Sequence, residues 1–232
     1  MRASGLVRAV VSVLVVGAAL GGVGCRGQGT GGQSRSVSDL IQELKSPDQN
    51  VRAQAAEELR KRGPAAKEAI PALIANLDDE DELARRWAAE ALGGIGPDAI
   101  PPLLDALKSE NARVRAMAAW ALGHIGPAAK PALPTLVAAL KDQDATVRRN
   151  AAFAINGLGP AAAEAVPDLV AVLKESKERY VRGYLVDALG KLGEDAKEAV
   201  PLLQQLQKDR DPEIAKAAEI ALRRMASKPE RP

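Results

Sequence analysis

Aromatic residues are scarce in this chain of 232 residues: Phe, Trp and Tyr account for 2% of it, or five side chains. A core must therefore be built from Ala, Leu, Val and Ile, which suit closely packed helices better than a β-sandwich. The composition is otherwise that of a globular protein, with 47% hydrophobic and 27% charged residues. We therefore expect an all-α fold with a substantial apolar core.

Histidine and cysteine occur once each, as His124 and Cys25. They cannot build a zinc site of ordinary composition, and Cys25 has no partner for an intramolecular disulfide. The acidic run DDEDE at residues 78–82 lacks the alternating ligands and the central glycine of an EF-hand loop. We interpret this run as a solvated turn before a helix and His124 as structural or solvent-facing, and we expect no metal and no cofactor.

The first 24 residues have the layout of a secretory signal peptide. Arg2 and Arg8 accompany the uncharged stretch AVVSVLVVGAAL, which is short for a transmembrane helix and precedes GGVG and Cys25. This layout resembles that of bacterial lipoproteins, in which a small residue precedes the cysteine that becomes lipidated, although Gly22 stands where leucine is usual. The resemblance implies a lipid anchor at Cys25 and an extracytoplasmic location, on the periplasmic side of a membrane or at the cell surface. The alternative is a fortuitous cysteine behind an ordinary signal peptide.

The remainder of the chain is electrically balanced. Residues 25–232 hold 30 basic and 30 acidic side chains, which disfavours the clustered basic surface that nucleic-acid binding requires. Residues 25–36 run from Cys25 through a segment rich in Gly, Ser, Gln and Thr that is typical of a flexible tether. We therefore expect a domain held close to a membrane, without a nucleic-acid partner.

From Val37 onward the sequence repeats with a period near 33 residues. A phrase such as IPPLLDALKSENARVRAMAAWALGHIGPAA recurs, and its anchor prolines lie 30, 33, 33 and 34 residues apart. Six copies fill residues 37–226, and residues 227–232 form a C-terminal tail. The anchor prolines are Pro71, Pro101, Pro134, Pro167 and Pro201.

Each copy contains two apolar runs at helical spacing, separated by a polar turn. In the third copy, Val114, Ala118 and Ile125 lie on one stripe of a helix. Gly-Pro pairs follow most of the second helices, where they end the helix and redirect the chain. In five copies a polar residue precedes the stripe by three positions, and we predict these residues as N-caps: Asp48, Asp81, Asn111, Asp144 and Asp211.

Two helices with one apolar face each cannot bury that face alone, so the copies must stack into a solenoid. The phrases VRAMAAWALGHIGP and VRRNAAFAINGLGP resemble the short HEAT-like repeat of the phycobilin lyase group, and the resemblance extends over residues 37–226. It implies an α-solenoid of about six two-helix repeats. It is less specific for function, since this repeat occurs in scaffolds, adaptors and a few enzymes.

Arginine recurs at one position of the second helices. A ladder of this kind could bind an anionic ligand, but in HEAT-like proteins it usually pairs with the helix-capping acids of neighbouring copies. The resemblance therefore implies a structural role for five arginines: Arg52, Arg85, Arg115, Arg148 and Arg182.

The few aromatic residues are concentrated in the central copies. Trp120 and Phe153 lie six positions after the start of the stripe, and Trp87, Met117 and Tyr184 lie three positions after it. Both positions fall off the core face of a helix, so these side chains would form an exposed ridge. In HEAT-like solenoids the second helices commonly line the concave surface, and we predict that the ridge binds a protein partner. The alternative is that the rings fill gaps between copies.

Taken together, these features predict a membrane-tethered, extracytoplasmic, monomeric scaffold or adaptor that is not an enzyme. Its partner would be a protein bound on the second helices, and its membrane contact would be the lipid anchor at Cys25. The alternative is an enzyme or enzyme subunit of the bilin-lyase HEAT-like type. The iron-dependent hydroxylase of this fold is excluded, because its several His-Glu pairs are absent from a chain with one histidine.

Overall fold

Residues 35–227 are described by a computed structural model, and within them every regular element is helical. The predicted signal peptide, Cys25 and most of the tether lie outside these residues. Twelve α-helices form six two-helix copies, and short 3-10 helices link successive copies. The predicted all-α solenoid of six repeats is therefore confirmed. No helix of the described range is long and apolar enough to cross a membrane.

The first helix of each copy is short, and in five copies a proline lies in its first turn. Proline costs little there, because the first N–H groups of a helix have no intrahelical partner. In the third copy, Leu103 follows Pro101 and Pro102 and is fully buried. The first helices are α1 (Val37–Glu43), α3 (Ile70–Ala75), α5 (Ile100–Ala106), α7 (Leu133–Ala139), α9 (Val166–Glu175) and α11 (Val200–Leu206).

The second helices are longer and pack against one another along the solenoid. In the fifth copy Glu178 occupies the N-cap position without a capping hydrogen bond from its side chain. In the other five copies the predicted N-caps are confirmed, since each side chain accepts a first-turn backbone N–H: Asp48, Asp81, Asn111, Asp144 and Asp211. The second helices are α2 (Gln49–Arg62), α4 (Glu82–Ile95), α6 (Ala112–Ile125), α8 (Ala145–Leu158), α10 (Arg179–Leu192) and α12 (Pro212–Ala226).

A glycine with positive φ ends each of the first five second helices. At Gly96 the angle is 88°, a backbone conformation that residues with a Cβ atom rarely adopt. Four of these glycines precede the predicted proline, and Gly193 makes the same turn before Glu194. The turn stops the second helix and sends the chain into the first helix of the next copy.

Neighbouring second helices approach closely where small residues face each other. A Cβ atom on Gly157 of α8 would lie 2.6 Å from the carbonyl oxygen of Gly123 of α6, well inside van der Waals contact. A Cβ atom on Gly190 of α10 would lie 2.7 Å from the Cα atom of Ala221 in α12. These contacts set the second helices side by side, so that equivalent side chains of successive copies form rows.

Candidate partner-binding surface

Three of the predicted ridge residues form one aromatic cluster across α6, α8 and α10. The rings of Trp120 and Phe153 are stacked, with centroids 4.5 Å apart and planes 20° apart. Tyr184 continues the cluster edge-on, at 5.6 Å from Phe153 and an interplanar angle of 70°. Stacked and edge-to-face pairs at such distances are the favoured arrangements of aromatic rings. The cluster consequently joins three successive copies through side chains that lie off the main apolar stripe.

His124 also belongs to this cluster. Its imidazole lies 5.0 Å from the Trp120 ring and 5.6 Å from the Phe153 ring. Burial lowers the pKa of His124, the positive charges of Arg60 and Arg86 lower it further, and Glu90 opposes the change. The histidine predicted as structural or solvent-facing covers one end of the aromatic cluster: its ring is partly enclosed by the Trp120 and Phe153 rings, while the residue as a whole is exposed.

Trp87 and Met117 lie apart from the stacked rings. The guanidinium of Arg60 lies over the Trp87 ring, with its Cζ atom 5.4 Å from the ring centroid. This tryptophan therefore contacts α2. Within residues 35–227, no aromatic ring contacts Trp87. Met117 packs against the apolar core and lines the groove described below. Of the five residues of the predicted ridge, Trp120, Phe153 and Tyr184 therefore form one cluster. Met117 lies beside this cluster, and Trp87 contacts Arg60 instead.

The Trp120, Phe153 and Tyr184 rings are half-buried. The sequence left open whether these rings form an exposed surface or fill gaps between copies, and in the structure they do part of each. Trp120 and Tyr184 pack against the apolar core, and both also line an open groove. The indole N–H of Trp120 is buried and has no hydrogen-bond partner among the described residues. One side of the Trp120 and Tyr184 rings therefore packs against the core, while the other side faces the groove. Phe153 stacks on Trp120 and does not itself line the groove.

The groove runs over the N-terminal halves of α4, α6, α8 and α10 and has a volume of about 610 Å³. Met117, Trp120 and Tyr184 supply apolar surface to it, and charged side chains stand around them. This size lies within the usual range of ligand sites, which is about 300–1,000 Å³. The groove is thus the concave site to which the predicted residues Met117, Trp120 and Tyr184 converge.

Several groove residues were not predicted from the sequence, among them Asn150 and Tyr180. Asn150 is 1% exposed, and its side-chain amide donates to the carbonyl oxygen of Ala116 at 2.8 Å. Tyr180 is 63% exposed, with the guanidinium Cζ of Arg149 at 5.9 Å from its ring centroid. Asn150 could have been found from its spacing, because it stands three positions after the start of the α8 stripe, as Met117 does in α6.

The arginine ladder joins successive copies through ion pairs. Arg115 donates to both carboxylate oxygens of Asp142, at 2.8 and 2.9 Å, and to the carbonyl oxygens of Ser109 and Glu110 in its own copy. Its guanidinium holds the pKa of Asp142 below the ordinary value of a carboxyl group, while burial opposes this. Four of the five arginines make such a pair with the next copy: Arg52 with Asp79, Arg115 with Asp142, Arg148 with Glu178, and Arg182 with Asp209.

The partner acids differ from those that the resemblance implied. Asp79, Asp142 and Asp209 are not N-caps but lie two residues before them, and each accepts the backbone N–H of the capping residue. The capping carboxylates turn inward to the helix N–H groups, so the earlier acids face the arginine of the preceding copy. Only Glu178 is both an N-cap position and a ladder partner.

Arg85 is the exception in the ladder. Ser109 stands where three of the other interfaces have an aspartate, and the Arg85 guanidinium donates to the carbonyl oxygens of Asp79 and Glu80 in its own copy. The interface between the second and third copies is bridged instead by Asn111, whose amide donates to Asp78 at 2.6 Å. The ladder arginines thus bind groups of the solenoid itself, either an acid of the next copy or carbonyl oxygens of their own copy.

The acidic run at residues 78–82 is used in the same way. Asp79 pairs with Arg52, Asp81 caps α4, and Asp78 accepts from Asn111. Between residues 35 and 227, no group of three or more His, Cys, Asp or Glu side chains could hold a metal ion. These carboxylates therefore serve contacts within and between copies.

Six stacked two-helix copies define the chain as an α-solenoid built from short helical repeats. The family model for HEAT repeats matches residues 37–98, 70–156 and 133–223, and the chain belongs to this family. The family assignment covers the whole solenoid, including all four helices that line the groove.

Solved structures with the same fold include natural and designed proteins. The chain is similar to the complex of CpcE and CpcF of phycocyanin lyase from Nostoc sp. PCC7120, with 26% identity over 85% of this chain and 79% of that chain and a TM-score of 0.52. It is similar to an engineered protein at 25% identity, covering 82% of this chain and 96% of that one, with a TM-score of 0.55. A designed armadillo repeat protein in complex with the peptide (KR)4 shares the fold at 23% identity, 82% and 99% coverage and a TM-score of 0.57. No curated protein matched the chain.

Proposed function

We propose that this chain is an exported, lipid-anchored, monomeric scaffold that binds a protein partner in the groove of its second helices and catalyses no reaction. The observation that carries the proposal is the groove between α4 and α10, which exposes one side of the Trp120 and Tyr184 rings. Half-buried aromatic side chains in a recess are typical of the residues that dominate protein–protein binding energy. The HEAT-repeat fold is one that commonly presents such extended surfaces to partners.

A capture experiment tests the groove directly. The full chain, used as bait on detergent-solubilised envelope, is expected to retain a partner that a Trp120→Ala, Phe153→Ala variant loses, because that variant removes the stacked pair at 4.5 Å. A Tyr180→Ala variant gives an independent reading, since this side chain is 63% exposed and its loss leaves the core intact. Mass spectrometry of the retained proteins, followed by rebinding of the purified partner, is the measurement.

The matched control is Ile220→Ala, which removes a large apolar side chain that is 39% exposed and lies outside the groove in α12. This variant should retain the partner as the unaltered chain does. Retention by all variants would place partner binding elsewhere on the solenoid. Loss of helicity in the double variant would instead show that Trp120 and Phe153 act mainly as core, and the Tyr180→Ala result would then decide.

The proposed anchor is a lipid on Cys25, which lies outside the described residues. Two or more acyl chains give a stable membrane anchor, whereas one chain binds only marginally. The eleven residues between the cysteine and Val37 would span roughly 17–20 Å as a flexible chain, so the groove would stay close to the membrane surface.

Replacing Cys25 with serine should move the protein from the membrane fraction to the soluble fraction. Serine has nearly the same size but cannot accept the thioether-linked lipid, so only the anchor is lost. Fractionation followed by immunoblotting measures the distribution, with a Ser34→Ala variant as control for a change in the same segment. An unchanged distribution would contradict the lipoprotein assignment.

A second candidate is an enzyme subunit of the bilin-lyase type. It is favoured by the likeness to the CpcE and CpcF complex, which covers 85% of this chain. A visible absorption change when the purified chain is mixed with a free bilin, together with transfer to an acceptor protein, would support this candidate. The scaffold proposal predicts neither signal.

A further inference from the structure

The charged side chains around the groove are predominantly basic. Arg86 and Arg149 line it, and neither forms an ion pair within residues 35–227. Arg113 also lines it and is 57% exposed, with its nearest carboxylate oxygen, on Asp78, at 4.0 Å. The groove therefore presents two arginines without an ion pair among the described residues and a third, Arg113, with only a long ion pair to Asp78.

Two acids also line the groove, and they do not cancel this charge. The Asp144 carboxylate accepts the backbone N–H groups of Thr146 and Val147 and so is turned toward its own helix. Glu82 stands at the end of the groove, in the first turn of α4. Exposed cationic groups beside a recess attract anionic ligands and strengthen their binding when partly desolvated.

Asn150 adds a hydrogen-bonding group to the groove floor. Its amide nitrogen donates to the Ala116 carbonyl oxygen, whereas its side-chain oxygen accepts no hydrogen bond from any described residue. Unlike the indole nitrogen of Trp120, this oxygen is not sealed from solvent, so a ligand N–H group can reach it and pair with it. Every residue of an extended peptide except proline offers such a backbone N–H group.

The length of the groove indicates the length of chain that it can hold. It crosses four second helices, and three interaxial steps of 8–10 Å amount to roughly 24–30 Å. An extended chain rises about 3.3–3.6 Å per residue, so about eight residues span this distance. Alternate side chains of such a segment point toward and away from the floor, where Trp120 and Met117 offer apolar contact.

We propose that the groove binds an extended acidic peptide segment of the partner protein. A backbone N–H of the segment donates to the Asn150 side-chain oxygen, carboxylates pair with Arg86, Arg113 and Arg149, and an apolar side chain lies on Trp120. This assignment rests on the proposed function as a protein scaffold and adds the chemistry of the segment that it recognises.

Isothermal titration calorimetry on the full chain in mild detergent tests the assignment. The probe is an octapeptide of alternating glutamate and alanine with a leucine at its centre, and the comparison is the same peptide with lysine in place of glutamate. The glutamate peptide is expected to bind and the lysine peptide is not. Arg86→Gln, Arg149→Gln should weaken the glutamate peptide about tenfold or more, because two charge-assisted contacts are lost. Raising the salt concentration should weaken it in the unaltered chain.

The matched control is Lys208→Gln, Arg210→Gln, which removes the same charge from an exposed turn outside the groove. It should leave the affinity unchanged. Asn150→Met gives a second reading, since methionine occupies the equivalent position in α6 and the Ala116 carbonyl keeps its intrahelical hydrogen bond. This variant should keep its thermal stability and lose several-fold in affinity for the peptide.

Equal binding of the lysine peptide, or binding that survives the Arg86→Gln, Arg149→Gln change, would overturn the assignment. Binding of anionic lipid vesicles that is lost in this variant, without peptide binding, would overturn it in favour of a lipid ligand. If no peptide binds while capture of the partner still requires Trp120 and Phe153, the proposal of an acidic peptide ligand is wrong and the proposed scaffold function is supported. If the peptide binds but capture does not depend on the groove, the proposed function fails separately.

Discussion

Replacing Gly157 with alanine is expected to destabilise the solenoid by about 2–3 kcal/mol, although alanine is the better helix former. The new Cβ atom would lie 2.6 Å from the Gly123 carbonyl oxygen, and a backbone atom cannot move aside as a flexible side chain can. The helices α6 and α8 would have to separate, which loosens the stacked Trp120 and Phe153 rings as well. Urea unfolding followed by circular dichroism gives the change in the free energy of unfolding.

The matched control is Gly183→Ala in α10. A Cβ atom there meets only the Ile214 Cδ1 atom at 3.9 Å, an ordinary contact. Alanine should therefore stabilise the chain by about 0.5–1 kcal/mol, which is the gain in helix propensity. Equal effects of the two substitutions would mean that the close approach of α6 and α8 does not determine stability.

Replacing Arg115 with methionine is expected to lower the free energy of unfolding by about 2–4 kcal/mol. Methionine keeps an apolar stem but removes the paired bonds to Asp142 and the bonds to two carbonyl groups. The two side chains are only 18% and 14% exposed, so water replaces the lost partner poorly. Chemical unfolding of the variant and the unaltered chain at neutral pH measures the loss.

This loss should depend on pH with a definite sign. Arg115 lowers the pKa of Asp142 in the folded chain, so its stabilisation is complete above the ordinary carboxyl pKa of 3.8 and disappears as the pH falls through the lowered value. The difference between variant and unaltered chain should thus shrink below about pH 4. A difference that stays constant down to pH 2 would mean that packing, and not the ion pair, is responsible.

Arg85→Met is the control within the ladder itself. Arg85 makes the same bonds to carbonyl oxygens of its own copy but has Ser109, not an acid, at the next copy's ladder position. Its loss should cost about 1 kcal/mol and should vary with pH around 4 much less than the loss of Arg115. Burial raises the pKa of Asp79 and the bonds from Arg52 lower it, whereas Arg85 only adds to that lowering and has no carboxylate partner of its own among the described residues. The comparison separates the bond within a copy from the bond between copies.

Much of the fold was predictable because its determinants are local and repeated. The N-cap residues, the prolines and the glycines act within one turn of chain, so most copies show them at the same spacing. Asp144, for example, accepts N–H groups only two and three residues away. Stacking of the copies follows, because neither helix of a copy can bury its apolar face alone.

The partners of the arginine ladder were not predictable in the same way. Three of the turns carry acidic residues two positions apart, such as Asp142 and Asp144, and the sequence does not show which one turns inward. In the structure Asp144 caps its helix and leaves Asp142 to face Arg115. Which aspartate caps the helix and which one faces the arginine depends on the directions of the two side chains. Those directions are fixed only when the copies stack.

The residues of the candidate partner-binding surface were predicted in part. Trp120 and Phe153 meet because both stand six positions after the start of the stripe, in neighbouring copies. In α4 that position is Glu90, and Trp87, which stands three residues earlier, contacts Arg60 instead. Asn150 was not predicted because it is a polar residue at the position that holds the large apolar side chains Trp87, Met117 and Tyr184 in other copies. A polar residue among apolar equivalents was the available signal.

The positions of the two tryptophans give the solenoid a pair of built-in optical reporters. The Trp87 ring lies under Arg60 at the interface of the first two copies, and Trp120 is stacked on Phe153 at the interface of the third and fourth. Indole emission responds to solvent and to neighbouring rings, so each tryptophan senses the separation of one interface. Single-tryptophan forms of the chain therefore report, without any attached label, whether the first interface or the central one opens first.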